Sequence, residues 1–263
     1  MVLLPPGPEL FRNAATATAD MIAGLRLAVS GTDVASISWS LGEHYFTPAQ
    51  VAQMHAILLG AAVHHVTVLG SSGDNGALSD TDFGKPVKEV SLPASDPLVL
   101  GVGGTSLTAK PSGAYMSETA FSTGGGFSHL YARPAYQDGV PGTSKTRGVP
   151  DVAADADQPG PPTVETGGSI VTNLGTSNST PLWGGLIALA DQYAHHDLGF
   201  VNPALYRIAR SSSYHRAFHD ITTGNNDAAV LVTGYQAGPG WDPVTGWGSP
   251  NAQVLIPLLA RGR

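Results

Sequence analysis

An α/β domain with a mostly parallel central sheet is the fold that the first hundred residues predict, and three observations carry it. Segments with apolar residues at helical spacing alternate with short runs rich in Val, Ile and Leu. Two of those runs, VTVLG and PLVLGVGG, are continuously apolar, as strands buried on both faces are. TPAQ at 47–50 opens the second helical segment as a capping box, with proline at the first helical position.

The opening MVLLPP reads as a short strand entering a turn. Residues 9–31, ELFRNAATATADMIAGLRLAVSG, read as a helix stopped by Gly31, and DVASISWS at 33–40 as a strand. A helix over 47–65 ends in His64 and His65, whose charged form suits a helix C-terminus. From 110 to 172 the chain is loop-rich and carries no repeat. Thr180 and Pro181 then read as the cap and first residue of a helix over 181–196, closed by His195 and His196. A shorter helix over 203–210, a Gly/Asp-rich segment and a last helix over 251–259 complete the chain, read as one domain over 1–263.

Bulk composition removes several classes of function. With 42% hydrophobic residues the chain has the material for a sizeable core. Its net charge of −7 lacks the basic footprint of nucleic-acid binding. No apolar run reaches the roughly 18 residues that span a bilayer. Cysteine is absent, which excludes disulfide scaffolds, thiol catalysis and Cys-based zinc sites. The N-terminus also lacks the charged start and long apolar core of a signal peptide.

Three clusters bear chemistry. Asp74, in VLGSSGDNGA, follows a buried strand, where open α/β sheets place their ligand crevices; the alternative is a turn aspartate bonding its own backbone. Ser177, in GTSNSTPLWGG, lies three residues ahead of the Thr180 cap, on a tight turn at the positive end of a helix. Acyl transfer needs that combination of nucleophile and nearby donors, although a Ser-Thr-rich helix entrance can also be structural. Asp220 and Asp242 bracket a glycine-rich loop, a donor set suited to calcium or simply to solvated carboxylates.

A serine nucleophile requires a base. None of His44, His55, His64, His65, His129, His195, His196, His215 and His219 lies in a glycine-flanked HGT loop, so a Ser-His-Asp hydrolase is disfavoured. A carboxylate base working in acid is the expectation.

Seven segments, ASISWSLGE, VLGSSGDNGA, PLVLGVGGTSL, GGGFSHLYARPAYQ, RGVPDVAADAD, GTSNSTPLWGGLIALADQ and FHDIT with AGPGWDPVTGWGSP, resemble the sedolisin family in order along the chain. These are serine-carboxyl peptidases with a subtilisin-like, three-layer fold. The resemblance implies Ser177 as nucleophile and a protonated Asp74 as oxyanion donor. It implies one calcium ion held by Asp220 and Asp242 with the backbone oxygens of Ile221, Gly238 and Gly240. It further implies cleavage of peptide or protein substrates through an acyl-enzyme at acidic pH, by a monomer in an extracellular setting, with no nucleic-acid or membrane partner.

The family's general base is a Glu four residues before an Asp on one helix, ahead of the strand that MVLLPP matches. That pair is absent from the first forty residues, so the expectation is an N-terminally truncated domain. Glu9 has only Asn13 at that spacing, and Asp20 and Glu43 lie on the wrong side of the first strand. The alternative to a peptidase is an inactive remnant that keeps a peptide groove and a calcium site.

Overall fold

The computed structural model describes residues 14–78, 87–157, 163–166, 169–172, 174–228 and 232–262, so the expected MVLLPP strand, Glu9 and Asn13 lie outside the described residues. In chain order the elements are α1 (Ala14–Ala28), β1 (Val34–Ile37), β2 (Leu41–Gly42), α2 (Pro48–Val63), β3 (Thr67–Ser71), β4 (Ser91–Leu92), β5 (Leu100–Ala109), β6 (Tyr115–Ala120), β7 (Gly126–Ala132), β8 (Thr146–Val149), β9 (Val152–Asp155), β10 (Thr163–Thr166), β11 (Ser169–Thr172), α3 (Thr176–Ala194), α4 (Asn202–Ala209), α5 (Tyr214–Ala217), β12 (Phe218–His219), β13 (Ser249–Pro250) and α6 (Ala252–Arg261).

Strands β1, β3, β5 and β9 pair in parallel, in that order across the sheet. Only β6 runs antiparallel to them, along the C-terminal half of β5. Because side chains alternate along a strand, β1 and β3 feed two cores, one on each face of the sheet. Ala35, Ile37 and Val68 pack with Met21, Leu25, Met54 and Leu58 of α1 and α2. Leu69, Leu100, Val102 and Val152 pack on the opposite face with Trp183, Ile187, Leu205 and Leu255 of α3, α4 and α6. This is the expected three-layer α/β arrangement, with helices on both faces of a mostly parallel sheet.

Local chemistry explains the entry to α2. Thr47 Oγ1 accepts the Gln50 N–H, and the Gln50 side chain accepts the Thr47 N–H at 2.9 Å, which completes the capping box. Two other expectations are corrected. The loop-rich stretch 110–172 contains β6 to β9 and the antiparallel β10–β11 hairpin. Of these, β9 (VAAD) has neither alternation nor a β-branched run. It is a strand because both its faces are covered: Val152 and Ala154 join one core, and Ala153 is also fully buried.

The second correction concerns the long helix, which starts at Thr176 rather than 181, with Gly175 as its N-cap. Thr180 is therefore not a cap. Its hydroxyl instead donates to the Thr176 carbonyl one turn back, at 2.7 Å. Pro181 stands inside the helix and has no N–H to give the Ser177 carbonyl. The shortest helix, α5, went unpredicted because a single turn carries no periodic signal.

Candidate active site

The parallel strands bring the two candidate catalytic residues together. β3 ends at Ser71, and the chain then turns outward to an exposed Asp74 at the C-terminal edge of the sheet. β9 ends at the same edge, beside Gly175: the Gly175 N–H donates to the Ala156 carbonyl at 2.8 Å. From there α3 departs, with Thr176 and Ser177 as its first two residues. Thr176 donates both its N–H (2.6 Å) and its hydroxyl (2.9 Å) to Asp74 Oδ1. Asp74 is thus joined to the residue next to Ser177, across 102 positions of sequence. These bonds tie Asp74 to α3, so it does more than close its own turn.

Ser177 is half-buried, and its hydroxyl donates to the Ser38 carbonyl at 3.3 Å. It sits in the first turn of α3, where backbone N–H groups have no intrahelical acceptor and the helix dipole is positive. A negative oxygen beside Ser177 is stabilised there. No Asp, Glu or His contacts the Ser177 hydroxyl among the described residues. Glu43 is committed elsewhere: it is buried, and its carboxylate accepts the Ser128 hydroxyl (2.6 Å) and the His129 N–H (2.7 Å). Asp20 lies exposed on α1.

Several residues that hold the site were not singled out in the sequence. Asn178 is buried, and its Nδ2 donates to the Asp155 carbonyl at 3.0 Å, which fixes α3 to the end of β9. Ser71 donates to the Thr176 carbonyl at 3.1 Å. On the far wall, the Gly124 N–H donates to the Gly73 carbonyl at 2.7 Å. A Cβ at Gly124 would stand 1.9 Å from the Ser72 carbonyl oxygen, so only glycine permits that approach. These residues sit inside the motifs, but a bond to a backbone far along the chain leaves no local mark in the sequence.

Several titratable groups of the fold are held above their ordinary values, two of them near this edge. Burial raises the Asp155 carboxyl, and Asp157 adds to the rise. Burial also raises Glu118, against the pull of hydrogen bonds from Ser249 and Thr105 and with a further push from Asp155. Asp191 is likewise raised, chiefly by burial. His55 is raised through its 2.7 Å bond to the fully buried Asp96. All four bind protons more tightly folded than unfolded. Their contribution to stability is full below the unfolded values and is lost as the pH climbs through the raised folded ones. His219, lowered by burial, acts in the opposite sense, its contribution being lost as the pH falls. A higher melting temperature at about pH 5 than at about pH 7.5 is therefore expected in chelator-containing buffer. Thermal scans check it, and Glu118→Gln should flatten the difference.

The C-terminal loop carries the second candidate site. Asp242 is buried (5% exposed) and accepts N–H groups of Gly238, Val244 and Thr245 at 3.2, 2.8 and 2.9 Å, plus the Thr245 hydroxyl at 3.0 Å. Burial still pushes its carboxyl up to about 6, and no Lys or Arg pairs with it among the described residues. Asp220 accepts the Gly240 N–H at 3.1 Å, so both carboxylates face the 238–242 turn that follows the buried Ile221. A buried, uncompensated carboxylate beside a second one in a glycine-rich turn fits a hard cation.

No family model matches the chain. Kumamolisin of Bacillus sp. (strain MN-32) is 40% identical over 248 residues, which are 88% of this chain and 44% of that protein. Tripeptidyl-peptidase 1 of Homo sapiens is 34% identical over 256 residues, 86% of this chain and 43% of the human protein. The chain thus spans less than half the length of the curated relatives it matches. Among solved structures, a Pseudomonas sedolisin (serine-carboxyl proteinase), complexed with two molecules of pseudo-iodotyrostatin, matches with a TM-score of 0.84 and 31% identity. That match covers 94% of this chain and 71% of that one. Sphericase shares the fold at a TM-score of 0.54 and 18% identity.

Proposed function

We propose that this chain, which belongs to the sedolisin family, carries the acylation centre of a serine-carboxyl peptidase that cleaves peptide bonds in acid. The observation that carries the reading is the joining of Asp74 to Thr176 beside Ser177 at the mouth of α3. Ser177 Oγ attacks the scissile carbonyl and forms the acyl-enzyme. The oxygen that becomes negative is met by the Asp74 carboxyl, which donates a hydrogen bond when protonated, and by the positive end of α3. A donor that works only when protonated makes the reaction acid-dependent. The serine proton must pass to a carboxylate base and on to the amine that departs as the peptide C–N bond breaks. The family resemblance gives that base as a Glu oriented by an Asp, and among the described residues no carboxylate contacts Ser177 Oγ. An extracellular or lysosomal setting suits that acid requirement.

Purified chain incubated with a denatured protein at about pH 4 is expected to release peptides, and Ser177→Ala should abolish the release. One observation favours a second reading: the Ser177 hydroxyl is bonded to a backbone carbonyl rather than to a base. If the unsubstituted chain cleaves nothing in acid, the peptidase reading fails for this chain. The remnant reading then predicts that a peptide aldehyde still binds in the groove.

Calcium is the proposed ion of the C-terminal loop, held by Asp220, Asp242 and carbonyl oxygens of Ile221, Gly238 and Gly240. It would act structurally, by neutralising the two carboxylates. A chelator is expected to lower the melting temperature by about 5 °C or more, given saturating ion in the untreated sample. Asp242→Ala should remove that difference. An unchanged melting curve would sink the site.

A further inference from the structure

A second hollow, of about 610 Å³, lies at the other end of α3, bounded by its last turn, the turn at 195–197 and the segment leading into β1. Asp33, Asp191 and Asp197 line it with Thr32, His195 and His196, and no Lys or Arg does. Asp191 lies 14 residues along α3 from Ser177, about 21 Å at the helical rise, so the hollow is separate from the acylation centre. The negative end of the α3 dipole adds to the charge of the three carboxylates.

Asp191 is the informative member. It is 9% exposed, and its Oδ1 accepts the Leu198 N–H at 2.8 Å. Its Oδ2 is buried without a hydrogen-bond partner. A buried carboxylate oxygen left unpaired carries a desolvation cost that a donor-bearing cation would relieve. Burial raises the Asp191 carboxyl and the neighbouring Asp197 and Asp33 raise it further, against a smaller pull from the Leu198 N–H and His196.

We propose that this hollow binds an organic cation, the alkylammonium or guanidinium that ends a lysine or arginine side chain. It has room for a guest of side-chain size, and its wall brings three carboxylates together, beside two histidines, with no Lys or Arg. The free amine and the side chain of a basic peptide present the same chemistry. The proposal does not depend on the peptidase reading.

Calorimetric titration of the intact chain near neutral pH and at low salt tests it, using Nα-acetyl-lysine methylamide, 1,5-diaminopentane and a short lysine-containing peptide as separate probes. Saturable binding is expected, with the uncharged norleucine analogue failing to bind. A diamine that matches or exceeds the peptide identifies a free amine as the guest; a tighter peptide identifies a side chain. Asp33→Asn with Asp197→Asn should weaken binding about tenfold while the melting temperature stays unchanged. Asp191→Asn, which keeps the acceptor for Leu198, should weaken it similarly. Equal binding of norleucine, or affinity unchanged in both charge variants, would overturn the proposal. So would displacement of the amine by calcium chloride at lower concentration, which would reassign the hollow to a metal.

Discussion

Gly175→Ala is expected to lower kcat/KM by a hundredfold or more, roughly the loss that follows removal of one oxyanion donor. Gly175 has φ +81° and ψ −178°, a region that side-chain-bearing residues reach only at a cost of about 1–3 kcal/mol. Its methyl group would also stand 2.5 Å from Asp74 Oδ2 and 2.7 Å from Cγ. The backbone strain is a stability effect of a few degrees, whereas displacing the Asp74 carboxyl strikes at the reaction. Glycine is thus required twice, by backbone conformation and by contact. Two variants at position 74 separate these causes. Asp74→Ala should match the loss in Gly175→Ala without its fall in melting temperature. Asp74→Asn can keep its amide oxygen toward Thr176 and turn an N–H toward the substrate. Because that donor needs no protonation, the acid-side preference of the rate should broaden toward neutral pH. Should Gly175→Ala retain more than a tenth of the rate, Asp74 would not act at this turn.

The same turn shows how far the sequence could be read. Ser177 and Asp74 were legible as candidates because GTS stands on a tight turn at a helix entrance and SGD follows a buried strand. Their joining was not, since nothing local records that Thr176 reaches across 102 residues to Asp74. The capping box of α2 was legible because both partners lie within four residues. The start of α3 was misread for the opposite reason. Thr180-Pro181 is a strong local signal for a helix start, but tertiary bonds from Gly175, Asn178 and Ser71 pull the helix one turn further back. The parallel sheet followed from continuous apolar runs, while β9, a four-residue VAAD segment, is a strand only because its neighbours cover it.

The RGVPD segment illustrates the same limit on a larger energetic scale, and Arg147→Met is expected to cost about 3–5 kcal/mol, as breaking a buried pair from one side does. Arg147 and Asp151 are both completely buried. The guanidinium grips the carboxylate in a fork, Nη1 to Oδ1 at 2.8 Å and Nη2 to Oδ2 at 2.6 Å. Asp151 also accepts the Tyr206 hydroxyl (2.8 Å), the Gly101 N–H (2.8 Å) and Asn202 Nδ2 (3.3 Å). One carboxylate therefore ties together β8, β9, β5 and α4. Without Arg147 that carboxylate keeps three neutral donors but loses its counter-charge, in a place water does not reach. For a chain of this size, such a loss lowers the melting temperature by about 10 °C. Arg147→Lys should rescue little, because an ammonium cannot make two parallel bonds and leaves the space over the Tyr136 ring, 5.7 Å from the guanidinium carbon, unfilled. Chemical denaturation of the three proteins decides this: a loss under about 1 kcal/mol in Arg147→Met would mean that the pair adds little over an apolar replacement. The consequence reaches the acylation centre, since Asp151 leads into β9. β9 in turn ends at the carbonyls of Asp155 and Ala156 that hold Asn178 and Gly175. Loosening the buried pair should therefore slow acylation at temperatures well below the melting transition, with Ser177 and Asp74 themselves untouched.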